Sequence, residues 1–204
     1  MRFILASNSP RRKEILSQIR LSFDVIPSSF EEKENGMSPP ELVKHFAYMK
    51  AKDVYEKVYA NKEAGESKQI NETFVIGADT IVLCDKVMGK PRDASDAFEM
   101  LKALSGKEHY VLTGVSVINA ADGSCITEYE NTKVSFKALS EKEIETYIQS
   151  GEAFDKAGAY AIQGLGSLFV EKIEGCYFNV VGFPVRLFSR IMERMGYSLM
   201  NHIG

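Results

Sequence analysis

The sequence predicts an α/β protein, and three observations carry that prediction. Strand-like and helix-like hydrophobic periods alternate from the first residues onward, which disfavours an all-helical or all-β chain. The helical stretches open on capping residues and close on glycines. The chain has 204 residues, 45% of them hydrophobic and 26% charged, which suits a globular core and excludes disorder, collagen and coiled-coil arrays.

Taken in order, residues 2–6 read as a buried strand. Ser9 then Pro10 supplies an N-cap and a proline at the first helical position, and Ile15, Leu16 and Ile19 recur at helical spacing, predicting a helix over 10–19. A strand over 23–26 follows. Ser38-Pro39-Pro40-Glu41 is a capping box with proline in the first turn, and Val43, Ala47, Ala51, Val54 and Val58 keep one apolar face on a long helix. Residues 61–72 are polar, carry Gly65 and read as a surface loop. Residues 74–84 form a strand, then Asp93 caps a helix carrying Ala97, Leu101 and Leu104 that Gly106 ends.

Residues 110–118 predict a strand, Asp122-Gly123 signals a hairpin, and strands over 125–130 and 133–138 are expected to pair locally. Ser140 and Glu143 form a second capping box, opening a helix that Gly151 stops. A glycine-rich strand pair is expected over 158–175, a further element over 179–183, and a final helix from Pro184 carrying Leu187, Ile191 and Met195. With no repeat, low-complexity tract or linker, residues 1–204 read as a single domain whose two lobes flank a cleft.

Composition narrows the chemistry. No apolar stretch approaches the roughly 18 residues of a membrane span, and the apolar run 3–6 is too short for a secretion signal, so a cytoplasmic chain without a membrane partner is expected. Cys84, Cys125 and Cys176 are dispersed and odd in number, which offers neither a disulfide framework nor a zinc motif. With only His45, His109 and His202, a histidine-built metal site or a Ser/His/Asp triad lacks material. Carboxylates, lysines, arginines and backbone remain as the catalytic repertoire. The net charge of −3 argues against a nucleic-acid surface while leaving local basic patches open.

Five features could carry that chemistry. Ser7-Asn8-Ser9-Pro10-Arg11-Arg12 sits at a strand-to-helix junction, where free N–H groups and the helix dipole favour an anion. Arg11 and Arg12 oppose that dipole, so a phosphate chain offsets the repulsion; two solvated arginines flanking a capped helix are an equally good local reading. Asp79 interrupts an apolar strand, where it either accepts fixed hydrogen bonds, binds a cation or emerges into a cleft. Glu31-Glu32 follows a turn from which a carboxylate could share a hard cation with Asp79, although acidic loop pairs are usually solvated. Lys50 lies near the buried face of its helix and Lys90 in the turn Gly89-Lys90-Pro91; both read equally as surface lysines with snorkelling stems. Gly158 to Gly166 matches no phosphate loop, and within it the Gln163 amide can both donate and accept, as a base edge requires, or simply face water.

Taken together, Leu5-Ala6-Ser7-Asn8-Ser9-Pro10-Arg11-Arg12, Glu31-Glu32, Lys50-Ala51, Gly77-Ala78-Asp79-Thr80, Gly89-Lys90-Pro91, the block from Asp155 to Gly164 and the block from Gly175 to Pro184 resemble, in order, the signature blocks of the Maf family of nucleotide pyrophosphatases. The resemblance implies an elongated mixed β-sheet with flanking helices, similar to inosine triphosphate pyrophosphatases, and a homodimer. It implies hydrolysis of a nucleoside triphosphate between the α- and β-phosphates with a divalent metal, Mg2+ or Mn2+. Asp79 matches the general base, Glu32 and Asp79 the metal positions, and Ser7, Arg11, Arg12, Lys50 and Lys90 the groups that hold phosphate. Arg11, Thr80 and Gln163 resemble the branch that acts on dTTP and UTP, where a second branch acting on 7-methyl-GTP tends to carry Trp, Gln and Glu. The alternatives are that second branch and a non-catalytic nucleotide-binding regulator of septum formation. Ala153 and Phe183 depart from the usual proline and leucine without touching a proposed role.

Overall fold

A computed structural model describes residues 1–33, 36–60 and 72–201; the polar loop expected over 61–72 lies outside them except for Glu72. Seven strands form one mixed sheet: β1 (Arg2–Leu5), β2 (Phe23–Val25), β3 (Thr73–Cys84), β4 (Lys86–Met88), β5 (Glu108–Asn119), β6 (Cys125–Phe136) and β7 (Val170–Glu174). Their order is β2-β1-β3-β5-β6-β7, with β4 pairing β3 off that path. β1 runs parallel to both β2 and β3, while β4 is antiparallel to β3 and β7 to β6. The helices are α1 (Pro10–Gln18), α2 (Pro39–Tyr55), α3 (Ala94–Leu104), α4 (Glu141–Gln149), α5 (Tyr177–Val181) and α6 (Val185–Arg194). Among the described residues no helix is long and apolar enough to cross a membrane.

Caps predicted from the sequence do form. Ser9 accepts from the Arg12 N–H at the start of α1, Asp93 from Asp96 at α3, and Ser140 pairs reciprocally with Glu143 at α4. Each removes an orphan donor that a helix start would otherwise leave unpaired.

The chain divides into two compact units. One comprises Met1–Asp79, Thr113–Tyr129 and Gly182–Gly204, and the other Thr80–Leu112 and Glu130–Val181. In the first, Ile4, Ala6, Ala51, Val54, Val75 and Ile118 pack as one cluster beneath α2. In the second, Leu101 and Leu104 of α3, Ile144 and Tyr147 of α4, and Val134 and Phe136 of β6 belong to one core.

Two expectations are corrected. The two local strands over 125–138 are one twelve-residue strand, β6. The strand runs on through Asn131 and Thr132, because Thr132 is fully buried and its hydroxyl accepts from the Cys176 N–H and from the Asn179 amide. The glycine-rich strand pair is also absent: residues 157–159 and 164–168 are 3-10 turns and only β7 is extended. Left-handed backbone at Gly158 and Gly164 breaks the extended run. Residues 177–181 are helical, as α5, and Pro184 caps α6.

Candidate active site

The first unit builds a charged cluster from a packing constraint. A Cβ at Gly77 of β3 would stand 2.1 Å from the Ala47 carbonyl oxygen, and one at Gly114 of β5 would stand 2.2 Å from that of Val43. Both carbonyls belong to α2, so two glycines let the helix backbone lie directly on the sheet. At that depth Lys50, on α2, reaches the end of the buried run of β3. Its ammonium donates to Asp79 Oδ1 at 2.6 Å and to Glu32 Oε1 at 2.5 Å.

Asp79 is 4% exposed, and its second oxygen, Oδ2, is buried without a hydrogen-bond partner among the described residues. Leaving such an acceptor unsatisfied costs about 1 to 3 kcal/mol, an expense that stable proteins seldom carry without a use for the group. Burial pushes the Asp79 carboxyl above its ordinary value, opposed by the Lys50 charge and reinforced by Glu32. Burial thus favours the neutral carboxyl, and the neighbouring cations of Lys50 and Arg12 act against it.

Glu32 is exposed, and the chain leading to it is fixed by a residue that sequence reasoning missed. Asp53, on the helix that carries Lys50, accepts from the Ser28 hydroxyl, the Ser29 N–H and the Lys57 ammonium, each at 2.8 Å. Phe30 packs its ring against His45 and Phe46 of the same helix. The sequence signal was Asp53 lying one helical turn beyond Lys50, which places both on one face of α2.

Ser7 and Arg12 lie at the β1-to-α1 junction, each 8% exposed. The Arg12 guanidinium donates from Nη1 to the Ser7 hydroxyl at 3.1 Å and from Nε to the Gly182 carbonyl at 3.0 Å. Ser7 Oγ also accepts from the Ser9 N–H at 3.2 Å. Burial lowers the Arg12 pKa from its ordinary value, and the charges of Asp79 and Glu32 oppose that drop. Arg12 therefore braces Ser7 and the helix start through contacts inside the protein, and its field reaches the carboxylates. Arg11 beside it is half-buried.

Thr80 follows Asp79 in β3 and is half-buried. Lys90 and Gln163 are exposed and belong to the second unit. There the Gly89 carbonyl accepts from the Gly158 N–H at 3.0 Å, tying the Lys90 turn to the glycine segment. Of the predicted residues, then, Glu32, Lys50 and Asp79 meet directly, and Ser7 and Arg12 meet each other.

A family model described as Maf-like protein matches residues 2–195. The chain belongs to the Maf family. Within the family's length, a dTTP/UTP pyrophosphatase of Acetivibrio thermocellus is 46% identical over 204 residues, covering all of both chains. One from Alkaliphilus oremlandii is 49% identical over 200 residues, covering 98% of this chain and 95% of its own. A solved nucleoside-triphosphatase / dITP/XTP pyrophosphatase from Mycobacterium abscessus matches 68% of this chain and 76% of its own at 13% identity, with a TM-score of 0.40. The mixed α/β fold stands on this chain's own strand pairing.

Proposed function

We propose that this Maf-family chain is a dTTP/UTP pyrophosphatase, cleaving between the α- and β-phosphates to release a nucleoside monophosphate and pyrophosphate. The observation that carries the reading is the buried Asp79 with an unpartnered oxygen, held beside Lys50 and Glu32. The full-length relatives named dTTP/UTP pyrophosphatase supply the substrate class.

The donor set fits a divalent cation. Asp79 and Glu32 both accept from the Lys50 ammonium and Asp79 Oδ2 has spare acceptor capacity, so these two carboxylates are the oxygen ligands that would hold a hard cation. Among the described residues no third His, Cys, Asp or Glu joins them, which suits Mg2+ or Mn2+ bound by two carboxylates and substrate phosphates rather than an all-protein cage. Such an ion, held by Asp79 and Glu32, would neutralise the triphosphate and acidify a water. Asp79 is placed to accept a proton from an attacking water, and burial makes it a stronger base than a solvated aspartate. Lys50 stabilises the charge on the departing pyrophosphate together with Lys90 and Arg11. Ser7, braced by Arg12, presents its hydroxyl and the α1 N-terminus to a phosphate. Arg11, Thr80 and Gln163 set the base preference, Gln163 through an amide that pairs with both N3–H and O4 of a pyrimidine. The protein acts as a homodimer in the cytoplasm, the former checked by sedimentation equilibrium.

Incubation with dTTP, UTP, 7-methyl-GTP and ATP plus Mg2+ or Mn2+ tests the reading. Pyrophosphate release from dTTP and UTP is expected. Orthophosphate in its place, or preferential turnover of 7-methyl-GTP, overturns it.

A further inference from the structure

The second unit holds a buttress behind the turn that bears Gln163. Both carboxylate oxygens of Glu152 accept from the Leu165 N–H, at 3.1 and 3.3 Å. Between them and Gln163 lies Gly164, in left-handed backbone at φ +68, where a Cβ would stand 2.7 Å from Glu152 Oε2. The carboxylate thus rests directly on the glycine Cα, and no other residue fits there without displacing it. On the other side of Gln163, the Ala161 N–H donates to the Tyr147 hydroxyl at 3.2 Å. Ser167 closes the turn by donating its hydroxyl to the Gly164 carbonyl at 2.7 Å. Glu152 is itself set by the end of α4, where its N–H donates to the Ser150 hydroxyl at 3.3 Å.

Gln163 is exposed and extended, with φ −96 and ψ 162. No hydrogen bond of its side chain joins it to another described residue. A solvated amide with no partner of its own is aimed by its Cα–Cβ bond, and that direction is a property of the backbone. Two flanking N–H groups, at 161 and 165, are pinned to α4 and the turn after it, and at 165 the acceptor is a carboxylate, a stronger partner than a neutral group.

We propose that Glu152 is a positioning residue for base recognition, acting through the backbone of Gln163-Gly164-Leu165. The proposal rests on the reading of Gln163 as a base-contacting residue. Glu152 touches neither base nor phosphate. Its effect is to keep one approach direction for the Gln163 amide populated before substrate arrives, so its loss weakens substrate binding rather than the chemical step.

A double-mutant cycle on steady-state dTTP hydrolysis separates the possibilities. Gln163→Ala is expected to raise KM about tenfold with kcat within about twofold. Glu152→Ala is expected to raise KM about fivefold, with Glu152→Gln, which keeps one acceptor oxygen, close to wild type. In the Gln163→Ala background, Glu152→Ala is expected to add nothing. Thermal unfolding of each variant accompanies the kinetics, and if Glu152→Ala yields no folded protein, Glu152→Asp, whose shorter side chain draws the oxygens away from the Leu165 N–H, takes its place in the cycle. A KM increase that is fully additive with that of Gln163→Ala overturns the proposal, as does an unchanged KM for Glu152→Ala while Gln163→Ala is impaired. If Gln163→Ala itself leaves KM unchanged, the base-contact reading falls and the proposal falls with it.

Discussion

Asp79 and His109 are both polar side chains on sheet strands, 4% and 1% exposed, and each keeps one buried atom without a partner among the described residues, Oδ2 and Nδ1 respectively. Their surroundings differ in kind. Asp79 faces the Lys50 ammonium at 2.6 Å and lies in the fields of Arg12 and Glu32, so both signs of charge converge on it. His109 meets the Tyr160 hydroxyl at 2.7 Å and the edges and faces of Phe136 and Tyr160, ring centroids 4.9 and 5.4 Å away. Burial alone drives its pKa down to about 4, leaving a neutral imidazole that packs as an aromatic. Equal burial therefore marks two different things. A buried polar group on which charges converge marks a site, and one kept neutral among rings is core.

Breaking the charged cluster should give the largest stability effect. Lys50→Met leaves Asp79 buried beside no ammonium and is expected to lower unfolding free energy by about 3 to 5 kcal/mol in urea titration. Adding Asp79→Leu should recover most of that loss, because the cost is the stranded charge rather than the missing contact. A double variant as unstable as the single would mean that Lys50 contributes through its stem.

His109 sharpens the other side of the comparison through pH. Its folded pKa lies below that of an ordinary histidine, about 6.5, so the unfolded chain binds the proton first as pH falls. The stability it contributes is whole above pH 6.5 and declines to pH 4, by about 3 kcal/mol in total. Urea unfolding at pH 7 and pH 4 should show that slope, flattened in His109→Gln. A smaller effect is expected of Tyr160→Phe, which strips His109 of its one hydrogen bond and should cost about 1 to 2 kcal/mol at pH 7. Smallest of all, Arg92→Ala removes an i,i+4 ion pair with Asp96 whose arginine side chain is 84% exposed, and no resolvable change in Tm is expected.

What the sequence made legible was local. Ser9-Pro10, Asp93 and Ser140 each stand next to the N–H groups they cap, so α1, α3 and α4 could be placed from neighbouring residues. Asp79 was legible because one carboxylate in an apolar strand demands a reason. The failures are long-range. Two strands were expected on either side of Asn131-Thr132, yet Thr132 is held in one continuous strand by Cys176 and Asn179, more than forty residues along the chain. Gly158 looked like strand, but it is shaped around Val82, whose Cγ2 a Cβ would approach to 2.9 Å. The bond from Arg12 to the Gly182 carbonyl, between residues 170 positions apart, was likewise beyond local reading. Asp53 could be placed on the Lys50 face of α2 from spacing alone, but its hold on the Glu32 segment shows only once Ser28 and Ser29 fold onto it.

The central claim is that the stranded charge at Asp79 serves chemistry, and one substitution tests it. Asp79→Asn keeps the shape and the hydrogen bonding of one oxygen while removing the base. Single-turnover release of pyrophosphate from dTTP with Mg2+ should slow about 100- to 10,000-fold, while the dissociation constant for dTTP, measured by calorimetry without metal, stays within about threefold. An unchanged turnover rate in Asp79→Asn would contradict the account.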